Sequence, residues 1–352
     1  MSQSMLTARP TFIVEGQDSA ALTSELLRLV ITEDVNAVHR CEATFGNWGS
    51  TEHGLGFLYF DRTLLDFGKT LTVRVDDQTI FEGRVVSLTG GFSAAGPPTV
   101  TAVADDRLVD FRVTRRTRTF SNASVSDILH QISADHGLSA VIDVAGPTSE
   151  QMSQVDQSDL TFIRELCRNA GVEVYVSGNV LHAQHRENRN GGMVDLSYGR
   201  ELLELSVCAD LSEQYTSVAV SGWDAGAKRA ISVEADQSTV AAETHGERGA
   251  AIVLASFGER RRVITDSGST REGEAAAVAG AAFTAMARRF VTTRGVAQFN
   301  ARLRVGCHAK LTGVGRLFDG EHYISHVRHR FDNGDSLRTE FVAERAWLGR
   351  PH

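Results

Sequence analysis

Apolar and polar positions alternate with a period of two over long parts of this chain, and shift to a helical period in three places. In the first region, strands are expected at Thr11–Glu15, Glu25–Ile31, Val38–Phe45, Thr70–Asp76, Gln78–Thr89 and Thr99–Ala104. Leu71, Val73 and Val75 alternate with Thr72, Arg74 and Asp76, which gives one buried and one wet face. Asp76-Asp77 is a turn candidate, and Gly90-Gly91 with Gly96-Pro97-Pro98 bounds a loop. The first helix is expected after Ser124, in a capping box with Asp127, with Val125, Ile128, Leu129 and Ile132 as its apolar stripe. Gly137 ends it, and a strand follows at Ala140–Val144.

The stretch Asp156–His185 is the most legible. Ser158 is the expected N-cap of a helix whose apolar positions are Ile163, Leu166, Cys167 and Ala170. Phe162 or Ile163, together with Leu166, should face its partner. Gly171 stands where a left-handed terminating residue is wanted. Val172, Val174 and Val176 then mark one face of a strand, Ser177-Gly178-Asn179 turns the chain, and Val180–Ala183 returns. This predicts a helix packed on a hairpin.

From Tyr198 the alternation resumes, with strands expected at Leu202–Val207, Ser217–Gly222, Gln298–Val305, Lys310–Thr312, Glu321–Phe331 and Ser336–Glu344. Asp332-Asn333-Gly334-Asp335 is a strong hairpin turn, since Asn-Gly supplies positive φ. Between Trp223 and Gly295 lies an excursion. Its polar first half reads as loop or loose β, and its second as an alanine-rich helix, Arg271–Phe290, opened by a box of Ser269 and Glu272. Small residues such as Gly280 suggest that this helix packs closely on a sheet, where Gly280→Leu would overpack.

The two β regions repeat one pattern. Gly68, then Phe81-Glu82-Gly83, then Thr101 is matched by Gly306, Phe318-Asp319-Gly320 and Thr339 at nearly equal spacing. The expected fold class is mainly β with an α+β insert: two related β-barrel domains (1–115 and 196–352) flanking a small α/β domain (116–195), with the excursion at 224–295.

Composition narrows the function. With 42% hydrophobic and 23% charged residues in 352, the chain is an ordinary globular protein of two or three domains. A net charge of −8 argues against sequence-specific nucleic-acid binding, and the four arginines of Arg112–Arg118 lack interleaved aromatics, so they read as a solvated or subunit-facing strand. Cys41, Cys167, Cys208 and Cys307 show no paired spacing and are expected to be free thiols. The most apolar window, Ala275 to Ala287, is too short to span a bilayer, and the N-terminus has no signal-like run. The chain is therefore expected in the cytoplasm unless a larger particle carries it out.

Candidate chemistry is sparse. His322, His326 and His329 are the densest set; on a strand, His322 and His326 should point one way and His329 the other, which does not assemble a metal site. No nucleophile elbow or phosphate loop occurs. Glu82 and Asp319 are the nearest approach to an acid pair, yet both fall in the repeated turn motif. No catalytic, cofactor-binding or metal residues are assigned, no cofactor is expected, and the chain is read as a non-enzyme.

The stretch QSDLTFIRELCRNAGVEVYV, Gln157–Val176, resembles the signature of phage late control D proteins and VgrG-like baseplate hubs. The preceding SNASVSDILHQISADHGLSAVID and the closing DGEHYISHVRHRFDNGDSLRTEFVAER resemble the same family. That resemblance implies two tail-tube-like barrels in a structural hub of a contractile phage tail or phage-derived injection system. It also implies a homotrimer that forms a pseudo-six-fold ring between a hexameric inner tube and a three-fold spike, with other baseplate proteins around it. VgrG chains continue into a spike, whereas this sequence stops at His352, so the spike is expected on a separate polypeptide. Arg302 and Arg304 are expected to face a neighbour, the channel or the tube ring. The alternatives are a baseplate-associated cell-wall hydrolase and a carbohydrate- or receptor-binding module; the latter should expose aromatic clusters, and 7% aromatic residues speaks against it.

Overall fold

The computed structural model describes residues 9–52, 54–224, 226–265, 267–333 and 337–350. The fold is mainly β with an α+β insert. The strands of both expected barrels join in one sheet of thirteen, and among the described residues the pairing does not close either half upon itself. From one edge the order runs Leu202–Ala209, Val291–Gln298, Arg338–Arg345, Gly320–Asp332, Leu26–Asp34, Arg40–Gly46, Gly96–Asp105, Gln78–Ser93, Thr70–Val75, Thr11–Val14 and Gln17–Asp18. His308–Thr312 pairs with Gly320–Asp332 and, in parallel, with Met193–Ser197.

Five strands of one half match five of the other, and two of the matched pairs share their irregularities. Adding 239 to Arg84, Ser87 and Asp105 lands on Tyr323, His326 and Glu344, and both strand pairs carry a bulge at the same place, at Val86 and at Ser325. Adding 176 to Leu26 and Arg28 gives Leu202 and Glu204, and adding 252 to Phe45 and Thr44 gives Ala297 and Val296; these pairs also share a bulge. A bulge inserts one residue and re-aims those beyond it, so a shared bulge marks a shared design rather than a chance spacing. The structural offset of 239 equates Gly83 with His322, so the sequence anchor of Gly83 on Gly320 was two residues out. Gly68 and Gly306 do correspond, and both have positive φ, 80° and 93°.

Several strands run longer than their apolar pattern, notably Gln78–Ser93 and Gly96–Asp105. Asp76 and Asp77 both take positive φ in the predicted turn. The expected strand Gln298–Val305 is overturned: the strand is Val291–Gln298, whose inward residues Val291, Thr293, Gly295 and Ala297 are too small to read as a core face. Of the expected turn Asp332–Asp335, Gly334 and Asp335 lie outside the described residues, as does Ser336 at the start of the expected last strand.

In the middle, Ser124 and Asp127 form the predicted capping box on helix Val125–Asp135. Ser158 accepts from the Thr161 amide to cap helix Asp159–Ala170, and Gly171 terminates it at φ 71°. Phe162 and Ile163 are buried, with Leu166 packed partly buried on the same cluster, against Val174, Leu181 and Ala183. Strand Ser139–Ile142 adds in parallel to the hairpin Glu173–Ser177/Val180–Gln184. The strand Ser149–Ser158, which pairs with Arg115–Ala123, carries mostly polar residues and was not legible.

In the excursion, helix Glu272–Arg288 packs on the paired strands Ser217–Asp224 and Arg229–Asp236 through Ala275, Ala279, Phe283 and Met286. Ser269 does not cap it. The helix starts at Glu272 behind Arg271, and the Glu274 carboxylate accepts from the Thr270 amide at 3.0 Å. Gly280 is not at the contact, because a Cβ there would meet nothing within 4 Å. Gly280→Ala is therefore expected to raise stability by about 0.5–1 kcal/mol, by removing glycine's backbone entropy from a helix interior. Chemical denaturation checks this; a loss of stability would place a neighbour where none is seen. A further helix, Gly249–Phe257, is apolar without a clear stripe, which hid it in the sequence. Among the described residues no helix is long and apolar enough to cross a membrane.

Candidate functional site: a buried junction and open sheet edges

The histidine strand is the natural starting point. The bulge at Ser325 shifts the alternation, so Ile324 and Val327 share the core, and His322 and His329 are both buried while His326 is half-exposed. The expectation that His322 and His326 share a face is thereby overturned. The His322 ring lies between Thr293 Oγ1 at 3.1 Å and the Phe318 carbonyl at 2.9 Å, and burial with the nearby Arg345 charge pulls its pKa down to about 4. His329 contacts Thr339 Oγ1 at 3.0 Å, and burial likewise holds it at about 4. His326 pairs with Asp34. Among the described residues no three metal-ligating side chains converge. Glu82 sits exposed within a strand rather than in a turn, and the Asp319 carboxylate accepts from the Val314 amide.

The arginines of the basic segment are paired within the chain. Arg115 pairs with Asp156, and Arg116 and Arg118 converge with His136 on the buried Asp159. Burial alone would raise the Asp159 carboxyl, but hydrogen bonds from Gln154 and His136 and the two arginine charges hold it below its ordinary range. Arg116 and Arg118 thus tie the strand Arg115–Ala123 to the helix Asp159–Ala170, while Arg112, paired with Asp105, and Arg115 stay more than half exposed. Arg304 pairs with the buried Glu33 and donates to the Thr79 carbonyl, while the exposed Arg302 donates to the Met193 carbonyl.

A buried polar junction ties the middle unit to the second half. Glu173, on the hairpin, pairs with Arg186 at 3.1 Å and Arg189 at 2.9 Å, and accepts from the Tyr323 hydroxyl on the histidine strand. Arg186 also pairs with Glu344 at 3.0 Å and lies over the Tyr323 ring, while Arg189 lies over Tyr175 and donates to the Val305 carbonyl. Burial would raise Glu173's pKa, yet the arginine charges hold it below the usual range. Gly306 is required here. Its φ is positive, and a Cβ would come within 2.1 Å of Arg189 Nε.

Several edges of the large sheet lack a partner among the described residues, and two of them are the counterparts of the joined strands Gly320–Asp332 and Leu26–Asp34. Residues 86–93 have a partner only on the Gly96–Asp105 side, since Thr70–Val75 and the loop before it stop pairing at Val85. Leu202–Ala209 is an outermost strand, with Leu203 40% exposed and Cys208 exposed. Beside the first edge, Trp48, Phe57, Phe60 and Phe92 form a contiguous aromatic cluster with centroids 5.0–6.1 Å apart, and Phe92 is 69% exposed. The low aromatic content gave no hint of this cluster, because the four residues come together only through the fold.

Among solved structures the fold resembles the 43 kDa tail protein of prophage MuSo2 from Shewanella oneidensis, with 11% identity, a TM-score of 0.71, and 96% of this chain and 98% of that one covered. It also resembles a tail protein from Neisseria meningitidis MC58, with 11% identity, a TM-score of 0.65 and 96% of each chain covered. The E. coli c3393 protein, described as a component of the type VI secretion system similar to the bacteriophage T4 tail proteins gp27 and gp5, matches at 14% identity and a TM-score of 0.59, covering 97% and 79%. These likenesses establish a tail-protein fold. No sequence match is found among curated proteins. The family model described as the Alg8 N-terminal domain matches residues 6–333, and the late control D assignment made from the sequence is not the family matched. The chain belongs to the Alg8 N-terminal domain family.

Proposed function

We propose that this chain is a structural baseplate hub of a contractile phage tail or a related injection system, acting as a homotrimer and not as an enzyme. The observation that carries this reading is the five-strand repeat within one chain, with two shared bulges. A tail tube is six-fold and a pointed spike three-fold, and three copies of a two-fold repeat present six similar units above while keeping three-fold symmetry below. Head-to-tail contacts of this kind are heterologous and close into a ring. The proposed division is two tail-tube-like units, 1–115 and 196–352, around the α/β unit 116–195. The proposed partners are a hexameric inner tube protein, a separate spike and other baseplate proteins.

Native mass spectrometry of the chain with its cognate spike is expected to give a 3:3 complex. A stable 2:2 or 6:6 complex would sink the symmetry argument. One observation favours a second reading as a carbohydrate-binding module: the exposed aromatic cluster at Trp48, Phe57, Phe60 and Phe92 offers faces on which sugar rings can stack. Saturable glycan binding that is lost in Trp48→Ala would support it.

A further inference from the structure

The repeat carries more than symmetry. Inside the chain the two halves are stitched by one antiparallel joint: His326 lies opposite Asp34, Arg328 opposite Thr32, Phe331 opposite Leu29 and Asp332 opposite Arg28. The equivalents of its two strands are Gln78–Ser93 and Leu202–Ala209, whose matching edges are unpaired among the described residues. Subtracting 239 from the first member of each pair, and adding 176 to the second, transfers it from within the chain to between chains.

We propose that residues 202–210 of one copy add antiparallel to residues 86–93 of the next, with Ser87 opposite Asp210, Thr89 opposite Cys208, Phe92 opposite Leu205 and Ser93 opposite Glu204. This rests on the hub reading above and gives its ring a definite joint. Three observations support it independently of the count of copies.

First, both edges are of a kind that proteins rarely leave bare. Neither VSLTGGFS nor LLELSVCA holds a lysine or proline, and together they hold one charge, Glu204. Unprotected edges with that composition recruit another strand.

Second, burial differs where the joint is made and where it is not. Leu29 and Ile31, inside the formed joint, are fully buried, whereas their equivalents Leu205 and Val207 are only partly so.

Third, Phe331, from the second half, is 6% exposed because it enters the core of the first half beside Leu26 and Leu29. Its equivalent is Phe92, the most exposed ring of the aromatic cluster. A second copy presents the matching acceptor, the core around Leu202 with Leu205 packed on it. The aromatic cluster is then the apolar seal of the joint, and its exposure is that of a separated copy.

The test uses the native thiol. Cys208 is exposed and Cys41, Cys167 and Cys307 are buried, so Thr89→Cys adds one accessible partner. Under copper–phenanthroline oxidation of the assembled protein, Thr89→Cys is expected to give an intermolecular ladder on a non-reducing gel that ends at three copies. The ladder should be lost in Thr89→Cys/Cys208→Ser. Phe92→Ser, which removes an exposed ring, is expected to weaken assembly without lowering the stability of the separated chain. Linking by Ser87→Cys or Gly91→Cys in place of Thr89→Cys overturns the register. Assembly with no linking at any of the three overturns the edge joint while leaving the hub standing. A ladder ending at another number keeps the joint and overturns the three-copy hub, and a chain that stays monomeric and unlinked at every concentration overturns both. If Phe92→Ser assembles like the parent, the cluster belongs to a different partner, and the seal is overturned.

Discussion

Glu173→Ala is expected to destabilise the chain by about 3–5 kcal/mol, the range for removing one member of a buried ion network. The magnitude follows from what is left behind rather than from what is removed. The side chains of Arg186 and Arg189 are only 12% and 7% exposed, so two guanidinium groups would stay buried, with Arg189 losing its carboxylate and Arg186 keeping only Glu344. The Tyr323 hydroxyl would lose its acceptor as well. Glu173→Gln preserves an acceptor but not the charge, and should fall between the two. Because the network spans the hairpin, the loop after it and the histidine strand, the loss should appear as loosening of the middle unit against the second half. Urea denaturation followed by hydrogen exchange at Val305 and Gly306 would read it. A change below about 1 kcal/mol would mean that water reaches the arginines and that the junction is not dry.

Acidification from pH 7 towards pH 4 is expected to weaken the fold through His322 and His329. Both rings titrate at about 4 when folded, against an ordinary 6.5, so the unfolded chain binds more protons between those values. Stability therefore rises with pH across that window, is fully present above the unfolded value, and is lost as pH falls through the folded one. The gap corresponds to on the order of 3 kcal/mol for each ring. The cause is burial, reinforced by Arg345 near His322 and by Arg304 near His329, with Glu33 opposing it at His329. Carboxylates held low by their partners, Asp159 and Glu173 among them, lose their contribution only further down the acid limb, so the two effects separate by pH. Denaturation at stepped pH should show a slope that flattens in His322→Asn and His329→Asn. Equal stability at pH 7 and pH 5 would contradict the burial of both rings.

Part of this architecture was legible in the order of residues, and the reasons are local. Ser124 with Asp127, Ser158, Gly171 and the Asp76-Asp77 turn act through bonds within a few positions of themselves, so type and spacing suffice to read them. The helix-on-hairpin unit carried its own apolar stripe, and the glycines at 68 and 306 marked the repeat because both adopt positive φ. Periodicity failed where burial was not apolar. Val291–Gln298 lines the core with threonine, glycine and alanine, Ser149–Ser158 is held by pairing rather than burial, and helix Glu272–Arg288 took its start from Arg271 instead of the nearby serine.

The features that define the candidate site depend on residues far apart in the chain. A single bulge at Ser325 decided which histidines are buried, and no side chain announces a bulge. Arg304 reads as an outward strand residue until Glu33, 271 positions earlier, is placed beside it. Sequence alone thus established the local caps and turns, the α/β unit and the existence of two related β regions. Long-range strand pairing determined that those regions form one sheet and which of its edges lack a partner among the described residues, because hydrogen bonding between strands is non-local and its register is set by packing, not by the strands' own residues.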